Sequence, residues 1–123
     1  MRVAAIQMVS SPLLQENLDA AYRLVRHAAE QGAELAVLPE YFCLLGRKDG
    51  DKLTVQEIFG EGPIQNFLSQ TAKALGIWVV GGTMPLSTGV PDRVFNSSLA
   101  FSPSGSCAAR YDKIHLFAFD NGT

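Results

Sequence analysis

Two residues in this 123-residue chain have the types and the local settings for proton-transfer chemistry. Glu40 lies in LAVLPEYF, where an apolar run stops at a proline and a carboxylate follows. Lys113 lies in ARYDKIHLF, where a second apolar segment ends in a cation. In layered α/β folds, sites form beyond the carboxyl ends of strands, so both positions suit catalysis. A carboxylate flanked by Tyr41 and Phe42 can be desolvated toward the pKa of a general base. An ammonium beside it can stabilise an oxyanion. Each residue also has a plain alternative: Glu40 as a solvated loop carboxylate, and Lys113 as a surface lysine paired to Asp112.

Other chemistry-bearing residues weigh less. His115 shares a side with Lys113 if the strand continues, and either orients the site or is a hydrogen-bonded structural histidine. His27 falls on a helix and reads as exposed. Cys43 is three residues past Glu40, and a neighbouring negative charge raises a thiol pKa, so it reads as a small buried residue. Cys107, inside a strand, also reads as packing. Neither has a second Cys or a His at metal-ligand spacing, so no metal or cofactor is expected. Gly81-Gly82-Thr83 lacks the spacing of a phosphate loop and reads as close backbone packing. Asn96-Ser97-Ser98 fits a glycosylation pattern, but the reading preferred for Asn96 is a bond to local backbone.

The elements that must position Glu40 and Lys113 alternate at first. Val3 to Met8 reads as a strand. Ser10-Ser11-Pro12 supplies an N-cap hydroxyl and a first-turn proline. Leu14, Leu18, Ala21, Val25 and Ala28 have helical spacing, and Gly32 suits the helix stop. Leu35 to Leu38 is a continuous apolar strand, the pattern of one covered on both faces. Residues 44–60 read as a loop, with a short helix open over 51–59. Gly62-Pro63 opens a helix that carries Ile64, Phe67, Leu68, Ala72 and Leu75 and closes at Gly76. Ile77 to Val80 is a third strand. After a polar loop over 87–93, Val94 to Phe101 and Cys107 to Tyr111 form a hairpin about Pro103-Ser104-Gly105. The order predicts one α/β domain with a mixed sheet.

Composition agrees with a globular domain: 47% of residues are hydrophobic and 18% charged, with a net charge of −2. No basic stripe points to nucleic acid, and no apolar run is long enough for a bilayer. Without a signal-like N-terminus, a cytoplasmic location with free thiols is expected.

Taken in order, AAIQM, GAELAVLPEYF, GIWVVGGTMP, FNSSLAFSPSG and ARYDKIHLF resemble the N-terminal half of the nitrilase superfamily of carbon–nitrogen hydrolases. Within it, the similarity is strongest to Nit-type amidases of ω-amides and deaminated glutathione. The resemblance implies an α-β-β-α sandwich, of which residues 1–123 are a partial domain lacking the C-terminal half. It implies a Glu-Lys-Cys triad, with Glu40 as base and Lys113 stabilising the tetrahedral intermediate. Tyr41, Phe42 and His115 are the expected substrate contacts. No cysteine motif of the family's kind occurs before Thr123, so the chain is expected to be inactive alone. Its expected partners are a small amide and another polypeptide, either a second copy or a complementary chain. The other readings are a non-catalytic half-fold that associates with another chain, and an unrelated thiol enzyme built on Cys43.

Overall fold

The structure, a computed structural model, describes residues 1–45, 51–90 and 93–113. Its elements are β1 (Val3–Ala5), α1 (Leu14–Glu30), β2 (Leu35–Val37), α2 (Asp51–Thr54), α3 (Pro63–Leu75), β3 (Trp78–Val80), β4 (Met84–Ser87), β5 (Val94–Phe101) and β6 (Cys107–Asp112). β1, β2 and β3 run parallel, joined by crossovers that contain the helices. β5 then pairs antiparallel with β3, β4 and β6. The mixed sheet expected from the sequence is therefore present.

Each helix follows from its spacing. α1 buries Asn17, Leu18, Ala21 and Val25, and ends where Gly32 takes φ +95°. The hydroxyl cap and first-turn proline expected from Ser10-Ser11-Pro12 do not form: the helix starts after Leu13, which makes no side-chain cap bond. Ser11 Oγ instead accepts from Leu13 N and donates to Glu16 Oε1. α3 begins at Pro63 as expected and ends at left-handed Gly76. Its N-terminus is capped from a distance. The carboxylate of Glu57, 6% exposed, accepts from Ile64 N at 2.5 Å and Gln65 N at 3.1 Å. Those amides have no partner within the helix, and the positive end of the helix favours the carboxylate.

The two helices cover one face of the sheet. Val25, Leu68 and Ala72 pack over Ala36, Val79 and Phe101 in a single apolar cluster. Fully burying a side chain such as Leu68 contributes roughly 1.5–3 kcal/mol. Strand alternation sends Leu35, Val37, Trp78 and Val80 to the opposite face, where they remain partly exposed. The continuous apolar pattern of β2 suits cover on both sides, and the described residues supply it on one.

β4 was not legible in the sequence, because Pro85 argues against a strand interior. The proline is tolerated because, among the described residues, β4 pairs along its length only with β5 and makes one bridge from Leu86 to Glu57 on its other side. Gly81 and Gly82, by contrast, do mark close packing. A Cβ on Gly81 would meet Leu68 Cδ1 at 2.5 Å, and one on Gly82 would fall on the Pro39 carbonyl. Gly82 also has φ +46°.

Gly82 thus lets the segment before Glu40 cross the end of β3. Gly82→Ala should lower the melting temperature at least twice as far as Gly76→Ala. Gly76 also has positive φ, but open space around it, so its substitution carries only the left-handed strain of about 1–2 kcal/mol. Thermal unfolding of the two variants checks this, and equal losses would show that the crossing is not tight.

Candidate active site

Glu40 stands on a turn that is tied down at several points. β2 delivers Leu38, whose N–H donates to Val80 O at 2.9 Å, and Pro39 ends the pairing. Tyr41 takes φ +46°, an unusual value for a residue with a side chain. Its N–H donates to Thr83 Oγ1 at 2.9 Å, which holds that conformation. The Phe42 carbonyl accepts from Ser10 Oγ at 2.9 Å, and the Cys43 carbonyl from buried Asn17 Nδ2 at 2.7 Å. Asn17 also exchanges two hydrogen bonds with the Ser11 backbone, so α1, the loop before it and the Glu40 turn share one buried amide.

Lys113 follows β6 directly. β6 is held to β5 by its ladder and by Ser97 Oγ, which donates to Asp112 Oδ1 at 2.6 Å. Arg110 also bonds Asp112 through Nε at 2.9 Å, and its guanidinium lies over the Phe59 and Phe95 rings. The hydrogen bond from Arg110, followed by that from Ser97, holds the Asp112 carboxyl below the usual carboxylate range. Asp112 is therefore engaged by Arg110 rather than by Lys113, which reaches the other way.

Lys113 Nζ lies 3.3 Å from Glu40 Oε2. The two residues are 73 apart in sequence, and the fold brings them together. Their side chains are 34% and 51% exposed, so the pair adds at most about 1 kcal/mol to stability. Asn96 joins them: its Nδ2 donates to the same Glu40 Oε2 at 2.9 Å. This corrects the expectation that Asn96 bonds local backbone. Its place on β5, one position from the Ser97–Asp112 pairing, was the signal, but that register is not readable from one sequence. A cavity of about 440 Å³ opens over the three side chains, bordered by Val37, Val80, Ser98 and Tyr111. A larger groove of about 750 Å³ is lined only by α1 and α3 residues and brings together no carboxylate–lysine pair.

The expected substrate contacts fare differently. Phe42 is fully buried, with its ring 6.3 Å from that of Phe67, so it belongs to the core and lies behind the site. Tyr41 is half-buried and does not border the cavity. Burial, then the Cys43 and Glu40 charges, push its phenol up to about 12. It stays neutral at physiological pH. His115 falls outside the described residues. Tyr111 borders the cavity, 58% exposed, and was missed because alternation alone does not say which strand face meets Glu40.

The cysteines separate clearly. Cys43 is fully buried, and burial, with some contribution from the Glu57 charge, pushes its thiol up to about 12. Cys107 is exposed, which corrects the packing role expected for it. It opens β6 while Lys113 follows the strand's end, a separation of about 20 Å at strand rise. Both thiols are free. Among the described residues, no three His, Cys, Asp or Glu side chains gather as a metal site.

Comparison with known proteins gives the family. The carbon-nitrogen hydrolase family model matches residues 2–123. The omega-amidase NIT2 of Danio rerio is 38% identical over 119 residues, which cover 97% of this chain and 42% of that protein. A deaminated glutathione amidase of Synechocystis sp. is 36% identical over 115 residues, covering 93% of this chain and 42% of that protein. This chain therefore spans under half the length of those relatives. Among solved structures, Saccharomyces cerevisiae Nit3, a member of the nitrilase superfamily, superposes with a TM-score of 0.75 at 28% identity, covering 87% of this chain and 41% of that one. The chain belongs to the carbon-nitrogen hydrolase family, in the nitrilase superfamily, and corresponds to roughly the N-terminal part of its fold.

Proposed function

We propose that these residues supply the general base and the oxyanion-stabilising cation of an amidase that hydrolyses a small carboxylic amide. The observation that carries this is the Glu40–Lys113 contact at 3.3 Å on the floor of a cavity. The resemblance to an omega-amidase and a deaminated glutathione amidase supports an ω-amide or deaminated glutathione as substrate. In this mechanism Glu40 takes the proton of an attacking thiol. The thiolate adds to the amide carbonyl, and Lys113 stabilises the oxyanion that forms. Glu40 then returns the proton to the leaving nitrogen, ammonia departs, and a thioester remains. Water activated by Glu40 cleaves the thioester to the carboxylic acid and regenerates the thiol.

The attacking thiol is neither cysteine of this chain. Cys43 is enclosed in the core and protonated at neutral pH, and Cys107 is a strand's length from Lys113. The nucleophile therefore comes from polypeptide beyond these residues. The partly exposed apolar face of Leu35, Val37, Trp78 and Val80 is suited to receive such polypeptide.

In the complete protein, Glu40→Gln and Lys113→Met should each lower kcat/KM by about 100-fold or more, with the melting temperature little changed. The 123-residue chain by itself should release no ammonia from glutaramate-type amides, and activity from the pure chain would sink this assignment. Near neutral pH, iodoacetamide should label Cys107 readily and leave Cys43 unmodified. Faster reaction at Cys43 would restore it as a candidate nucleophile.

A further inference from the structure

We propose that Asn96 is the positioning residue of this site, setting the separation of Glu40 and Lys113 from one point on β5. The inference rests on the reading of Glu40 as general base. The Asn96 side chain donates from Nδ2 to Glu40 Oε2 at 2.9 Å, and its main-chain carbonyl accepts from Lys113 N at 2.8 Å. One residue therefore holds the carboxylate by its side chain and the start of the lysine by its backbone. Asn96 is 8% exposed and lies inside the sheet, paired to Pro85 of β4 on one flank and bonded to Lys113 on the other. Glu40 and Lys113 are long, partly exposed side chains, and neither alone can hold the other still.

A second observation separates this duty from simple packing. A carboxylate only accepts hydrogen bonds, so the donor end of the amide must face Glu40. The other end, Asn96 Oδ1, is then buried without a hydrogen-bond partner among the described residues. A buried orphan acceptor opposes folding. A threonine or valine would suit a strand position better if only the sheet were at stake. Rules of this kind are broken where a side chain has work outside the fold.

The geometry also bears on the proton. An N–H donated to a carboxylate favours its ionised form. Among the described residues, the charged and titratable groups around Glu40 are the Lys113 ammonium from the end of β6, the Tyr41 phenol on its own turn and the Tyr111 phenol bordering the same cavity. The next acid along β6, Asp112, is engaged by Arg110 and Ser97. Losing the Asn96 donor removes one hydrogen bond to the Glu40 carboxylate. Replacing it with aspartate sets a second carboxylate against the first.

The test is steady-state kinetics of the complete enzyme with Asn96→Ala and Asn96→Asp, over a range of pH. Asn96→Ala should lower kcat by about 10- to 100-fold, with KM changed by less than about threefold, as expected for misplaced catalytic geometry. The acidic limb of kcat/KM should move to higher pH, and further for the near-isosteric Asn96→Asp. Variants with lowered melting temperatures but wild-type kcat and an unmoved acidic limb would overturn the inference. If the wild-type enzyme hydrolyses no amide in a panel of ω-amides, the reading of Glu40 as a base fails instead. Carbon-13 NMR titration of the Glu40 carboxyl then decides the role of Asn96. An upward shift in Asn96→Asp supports it, and an unmoved titration overturns it.

Discussion

The close approach of two backbones at Gly82 governs where the Glu40–Asn96–Lys113 cluster can stand. β2 and β5 are not neighbours; β3 lies between them. Glu40 follows β2, and its partners Asn96 and Lys113 belong to β5 and the end of β6. The carboxylate reaches them only because the chain leaving β2 passes over the end of β3, where Gly82 offers no side chain to the Pro39 carbonyl. Gly81 does the same for the helical layer, letting Leu68 close on the sheet. Two adjacent glycines thus serve opposite neighbours, the core and the site. Thr83, next in sequence, then fastens the Glu40 turn through its hydroxyl.

Polar residues buried in this domain act mainly on loops and helix ends, and apolar residues hold the layers. Asn17 joins three backbone segments around the Glu40 turn, and Glu57 replaces the missing cap of α3. Each satisfies groups that would otherwise be buried without partners, which is more valuable than the net worth of an ordinary hydrogen bond. Asn96 differs, because its Oδ1 has no partner among the described residues while its Nδ2 donates to Glu40. The Glu40–Lys113 pair differs again. It is too exposed to contribute much stability, and what it does is place a carboxylate beside a cation at the cavity.

Burial also decides which thiol solvent can reach. Cys43 is close to Glu40 in sequence, yet its side chain enters the core with Phe42, while Glu40 turns outward to the cavity. Only Tyr41 and Phe42 separate an exposed carboxylate from a buried thiol, and the turn between them passes through the positive φ of Tyr41.

Much of this was legible in the sequence. Helical spacing located α1 and α3, glycines marked their ends, and the motifs around Glu40 and Lys113 placed both at strand ends and pointed to the family. Such features are local, because periodicity, capping and turn chemistry act over a few residues. β4 was hidden by Pro85, whose missing N–H is harmless only on the flank that the fold leaves without a ladder. Glu57 and Asn17 looked like ordinary polar residues, since the groups they satisfy lie on other segments. Phe42, expected at the substrate, went to the core, and Tyr111 came to the cavity, because a turn's twist and a strand's register decide which side chains meet it. The sequence by itself determined the elements, their mixed order and the types of groups able to move a proton. Only the tertiary structure decided that Glu40, Asn96 and Lys113 meet, because strand register and the crossing at Gly82 depend on residues far apart in the chain.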